Sequence, residues 1–112
     1  MIRKLALVLA LVAVLLAPSV VRAQSAADLI VADLDAYWST QFAERGLPYS
    51  SPRFSVVDYP GMEMCGFLDM FDAIGAYCSS GSTLTLSSGY VDPNDIVSVL
   101  TILSHEYGHH IQ

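Results

Sequence analysis

His105-Glu106-Tyr107-Gly108-His109-His110-Ile111-Gln112 contains every histidine of the 112-residue sequence. Within it His105, Glu106 and His109 spell His-Glu-x-x-His. On a helix, side chains four positions apart lie one turn above another, so the imidazoles of His105 and His109 can converge on one metal ion. Zinc fits such a nitrogen pair. Glu106 projects to the side of the pair, where a carboxylate can take a proton from activated water without displacing a ligand. His110 lies about 100° around the helix from His109 and is expected to be a packed or supporting histidine rather than a third ligand.

The residues before the motif predict the helix it needs. Asp92, Pro93 and Asp95 read as a start signal: an N-cap acceptor, a proline at the first helical position and an acid facing the positive end of the helix dipole. Ile96, Val99, Leu100 and Leu103 follow at the spacing of one apolar stripe. His105 and His109 fall on the side away from that stripe, so one face should be core and the other a site.

Residues 1–23 read as a signal peptide. Arg3 and Lys4 form a basic start, Leu5 to Ala17 an apolar stretch, and Val21-Arg22-Ala23 a small-residue exit with cleavage expected before Gln24. A bilayer span needs about 20 apolar residues and Pro18 interrupts this run, so no stable membrane anchor is expected after cleavage. No cysteine follows Ala23 to carry a lipid. The expected location is secreted or periplasmic.

Residues 24–112 form the second expected unit, with two basic against eleven acidic residues, a net charge of −9. That charge makes nucleic acid an unfavourable partner. An 89-residue unit would bury about 60–65% of its chain surface, a marginal core. Cys65 and Cys78 are expected to staple it. An exported chain meets an oxidising compartment, and a loop of about fourteen residues closed by a disulfide gains roughly 3 kcal/mol in the chain-entropy model. The competing reading makes one or both cysteines zinc ligands, although their spacing lacks the CxxC pattern of structural zinc sites.

Ser25 and Asp28 suggest a capping box at the start of an early helix. Its stripe is Ile30, Leu34, Trp38 and Phe42, joined by Tyr37, and Gly46 stands where a left-handed cap would end it. The stripe is read as core, with an aromatic ligand platform at Tyr37 and Trp38 as the alternative. Asp28, Asp33, Asp35 and Glu44 are assigned to the solvated face. Phe54 to Val57 is a candidate strand, closed by a turn at Tyr59-Pro60-Gly61. Residues 61–82 read as an irregular loop with at most a helical turn near Leu68 to Ile74. Asp69 and Asp72 have no spacing that singles them out as ligands. Thr83-Leu84-Thr85-Leu86 alternates like a half-buried strand. It either lines a cleft rim and offers its edge to an extended peptide, or is an ordinary strand with its threonines in water.

On these residues the chain resembles the neutral zinc metallopeptidase family, bacterial zincins. The resemblance covers most of residues 29–112. It is carried by Trp38 and Phe42, Tyr49 and Pro52, Cys65-Gly66, Gly75-Ala76-Tyr77-Cys78, the strand near Leu84, and above all Ser104 to Gln112, where HExxH continues with a further histidine, an apolar residue and glutamine. It implies zinc on His105 and His109, a catalytic Glu106 and a peptide or protein substrate. The family commonly follows the second cysteine with proline and aspartate. Ser79-Ser80-Gly81 stands there, so no role for that acid transfers.

The fold expected is α+β, a zincin-like N-terminal portion in which a helix and short strands lead to the HExxH helix. Such enzymes need a third protein ligand, expected as an acidic residue on a later helix, so the chain is expected to be a fragment or truncated copy. The other class of function is an exported, non-catalytic zinc-binding protein or a degenerate peptidase-like binding protein.

Overall fold

Ser25 and Asp28 start the first helix, α1 (Ala26–Glu44), by a reciprocal cap. Ser25 Oγ accepts the Asp28 N–H at 3.2 Å, and the Asp28 carboxylate accepts the Ser25 N–H at 2.8 Å. Aspartate thus serves where the longer Glu or Gln is usual. At the other end Gly46 takes φ +65°. The Gly46 N–H donates to the Ala43 carbonyl at 3.0 Å and the Leu47 N–H to that of Phe42 at 3.0 Å. These two bonds make a Schellman close, as the glycine predicts. A computed structural model describes residues 23–58 and 73–112, and all structural statements concern those residues. Residues 1–22 of the expected signal peptide, the turn at Tyr59-Pro60-Gly61, most of the expected helical turn after Leu68, Cys65, Asp69 and Asp72 lie outside them.

Three strands follow: β1 (Arg53–Val57), β2 (Gly75–Cys78) and β3 (Thr83–Ser87), in the order β1-β3-β2. β1 runs parallel to β3, Phe54 opposite Leu84 and Val56 opposite Leu86. β2 runs antiparallel to β3, Gly75 opposite Leu86 and Tyr77 opposite Leu84. Residues 75–82 are therefore not irregular: four form a strand and Ser79–Gly81 a 3-10 turn. Glycine at 75 and 81 suggests a loop, but Gly75 is itself paired with Leu86 and Gly81 lies in the 3-10 turn between β2 and β3.

β3 corrects a second expectation. It is the central strand, and Leu84, Thr85, Leu86 and Ser87 are all buried. Its hydrogen-bonding edges are taken by β1 and β2, so it has no edge to offer a peptide, and Thr85 does not meet water. The polar-apolar alternation misled because both faces of a central strand are covered here.

The last helix, α2 (Ile96–Ile111), begins four residues after Asp92. Asp92-Pro93-Asn94 is a turn: the Asp92 carboxylate accepts the Asn94 N–H at 2.9 Å and its carbonyl accepts the Asp95 N–H at 2.9 Å. Asp95 is the N-cap and accepts the Ser98 N–H at 3.4 Å. The turn has a task that forbids helix. The Pro93 carbonyl accepts the Ala27 N–H at 2.9 Å and the Asn94 side chain accepts the Ala26 N–H at 3.2 Å, satisfying two donors that the start of α1 leaves open.

The buried line of α2 is Val99, Leu103 and Tyr107, with Ile102 packed beside it. Ile96 and Leu100, expected in the core, are exposed along with Val97. The core joins Val99 and Leu103 to Leu86 of β3 and Ala27 of α1, with Ile30, Val31 and Leu34 packed around them. The architecture is thus a small α+β unit of two helices and a three-stranded mixed sheet. Among the described residues no helix is long and apolar enough to cross a membrane.

Candidate metal centre

The motif falls on the last two turns of α2, as its spacing requires. His105 and His109 are exposed, while Tyr107 between them is fully buried, so the helix turns its histidine pair away from the core. The two Nε2 atoms stand 3.3 Å apart with the rings nearly perpendicular, at 83°. A tetrahedral zinc held at about 2.0–2.1 Å from each nitrogen needs donors about 3.3 Å apart. The pair therefore fits that ion. Among the described residues no group of three or more histidine, cysteine, aspartate or glutamate side chains could hold a metal, so they supply two donors.

Glu106 and His109 open onto a cleft of about 510 Å³ whose other wall is Gly75, Ala76, Tyr77 and Ser79. β2 is an outer strand of the sheet, so this cleft runs beside backbone that no neighbouring strand covers among the described residues. Gly75 lets α2 come this close. A Cβ at that position would stand 2.7 Å from Ile102 Cγ2, 3.2 Å from the Thr85 carbonyl oxygen and 3.6 Å from Glu106 Cγ.

His110 is packed against aromatic rings, those of Tyr49, Tyr77 and Tyr107. Its Nε2 donates to the Ser50 carbonyl at 2.8 Å, which leaves Nδ1 of the neutral ring to accept from the Tyr77 hydroxyl at 3.1 Å. Both nitrogens are occupied. Of the two roles expected for His110, packed or supporting, the structure shows the packed one.

Asp35 is where the reading from sequence fails. It is half-buried, not on a solvated face. Its Oδ1 accepts the Tyr49 hydroxyl at 2.7 Å and the Tyr107 hydroxyl at 3.0 Å, and Oδ2 accepts from Ser51 at 2.9 Å. The two phenol oxygens also touch each other. Burial pushes the Asp35 carboxyl up, but the donated bonds from Tyr49, Ser51 and Tyr107 outweigh it and hold it below the ordinary value. Burial raises the Tyr49 phenol to about 12, with the Asp35 charge adding to the rise. Tyr107 is raised further, by burial first and then by Tyr49 and Asp35. The phenols stay protonated as donors and the carboxylate stays ionised as acceptor.

One sequence signal pointed to this group. Asp35 lies four residues after Val31 and seven before Phe42, and so shares the edge of the α1 stripe. Cys78 is buried on β2 and is not a free thiol. Its expected partner, Cys65, lies outside the described residues. No protein-family model matches the chain, and neither a curated protein nor a solved structure does.

Proposed function

We propose that the chain is an exported zinc-dependent metallopeptidase that cleaves peptide bonds with Glu106 as general base. The observation that carries this reading is the 3.3 Å convergence of His105 Nε2 and His109 Nε2 beside a cleft that Glu106 lines. His105 and His109 would hold the zinc, each through its Nε2 lone pair, with Nδ1 carrying the proton. When bound, the ion supplies a water of lowered pKa, about 7, and polarises a carbonyl. Glu106 takes the proton of the attacking water on a carboxylate oxygen and passes it to the departing amine nitrogen. The third protein ligand belongs to residues other than the described ones. The arrangement, a strand edge facing an HExxH helix across a cleft, is the zincin-like part of the proposal.

Export rests on the signal-peptide pattern of residues 1–23. The second reading, a non-catalytic zinc-binding or peptidase-like binding protein, draws on the described residues supplying two donors rather than three. One pair of measurements separates them: bound zinc and peptide hydrolysis in the wild type and in Glu106→Gln. The peptidase reading expects the variant to keep its zinc and lose hydrolysis. Hydrolysis at the wild-type rate by Glu106→Gln would overturn it, and zinc without hydrolysis in the wild type would favour the binding protein.

A further inference from the structure

Tyr107 lies midway between the two histidines and points the other way, into the core. Phenylalanine would fill that space as well. The hydroxyl is the addition, and a buried hydroxyl has to find a partner. It finds Asp35 on α1, at 3.0 Å and 72 positions earlier in the chain, inside a triangle of oxygens completed by Tyr49. Ser51 fixes the second carboxylate oxygen from the loop after Tyr49. One turn's reach further on, His110 is tied to the Ser50 carbonyl and to Tyr77 of β2. The histidine turn of α2 is thus held by directional bonds from α1, from residues 49–51 and from the sheet.

Buried charge is a poor source of stability, because its desolvation offsets most of what its partners return. What directional bonds add is register. The contacts of Val99 and Leu103 tolerate sliding and rotation of α2, whereas a hydroxyl within hydrogen-bond reach of one carboxylate oxygen does not. A helix end also frays unless it is tied. From this geometry we infer that Asp35 is a positioning residue for the metal pair: acting through Tyr107 and Tyr49, it holds the last turns of α2 helical and in place beside β2, and it is that helical spacing which brings His105 and His109 together. The inference rests on the reading of that pair as a zinc site.

Cobalt(II) is the probe, since its visible absorption reports both affinity and coordination. The wild-type chain is titrated beside Asp35→Leu, Asp35→Asn, Tyr107→Phe and Val99→Ala, with the stability of each measured separately. Asp35→Asn keeps an oxygen where Oδ1 accepts both phenols and is expected to bind cobalt nearly as the wild type does. Asp35→Leu and the isosteric Tyr107→Phe are expected to weaken cobalt binding by about tenfold or more and to alter its spectrum. Val99→Ala removes core packing two turns from the histidines and is expected to lose stability without losing affinity.

If Asp35→Leu does not fold, Tyr107→Phe carries the comparison alone. Wild-type cobalt affinity and spectrum in Tyr107→Phe would overturn the positioning role and leave the metal site standing. So would an equal loss of affinity in Val99→Ala, because affinity would then merely follow stability. A wild-type chain that takes up no cobalt would overturn the metal site and the positioning role together.

Discussion

Gly75→Ala sets two known effects against each other, and the structure decides between them. Glycine inside a strand costs roughly 0.5–1 kcal/mol relative to alanine through backbone entropy, so the substitution should stabilise the chain wherever the new methyl has room. At position 75 it has none. The added Cβ would lie 2.7 Å from Ile102 Cγ2, well inside van der Waals contact, and 3.2 Å from the Thr85 carbonyl oxygen. Neither neighbour yields easily. Ile102 is β-branched on a helix and confined essentially to one χ1 rotamer, and Thr85 is backbone of the central strand. α2 must therefore back away from the sheet, an overpacking cost of about 1–3 kcal/mol.

The entropic gain subtracts from that cost and leaves a net loss between about 0 and 2.5 kcal/mol, centred near about 1. In a domain of this size each kcal/mol is worth roughly 4–8 °C in Tm. Urea denaturation of Gly75→Ala, Ile102→Ala and the double variant is the assay. Removing the Ile102 side chain beyond Cβ should make Gly75→Ala nearly neutral, so the two changes should couple by about 1 kcal/mol or more. A single variant at least as stable as the wild type, with an unchanged denaturant slope, would refute the packing argument. Strict additivity in the double variant would refute it as well.

Three further outcomes follow from features already described. Asp35 has its pKa lowered by folding, so its contribution to stability is present above the unfolded value of 3.8 and is lost as pH falls through the lower folded value. Urea midpoints at pH 7 and pH 3 should therefore fall further for the wild type than for Asp35→Asn; an equal fall would refute the assignment. Gly46→Ala meets no atom within 4 Å but must hold φ +65°, so it should cost about 1 kcal/mol through backbone strain alone, with Gly46→Asn costing less. The expected Cys65–Cys78 bond predicts an intact mass two hydrogens below that of the reduced chain, and a full-length species that alkylates at both cysteines without reductant would remove it.

How legible each part was in the sequence followed the range of the interactions involved. The capping box at Ser25, the close at Gly46 and the His105–His109 convergence are contacts across three to five residues, and each could be read from spacing. Asp92 is a misleading start signal for α2, because its turn serves the first donors of α1, a partner far away in sequence. Periodicity gives Ile96 and Leu100 a place in the stripe but does not say what faces it. Val99 and Leu103 meet α1 and β3, while Ile96 and Leu100 turn past them. β2 is illegible in sequence for the same reason, since four residues with one glycine become a strand only when Thr83–Leu86 lies alongside. Asp35 was hardest to see, because its partners lie 14, 16 and 72 positions away.

That last separation has a bearing on time as well as on geometry. β2, β3 and α2 are neighbours in the chain and can find one another through short loops, whereas Asp35, which meets Tyr49 early, waits 72 positions for Tyr107. During synthesis α1 emerges with its carboxylate in water and no companion for it. The bond between Asp35 and Tyr107 can form only after the whole span between them has been made. Closing that 72-residue span and setting the histidine turn are then a single late event, and a chain halted before residue 105 would have the three described strands in hand and neither histidine.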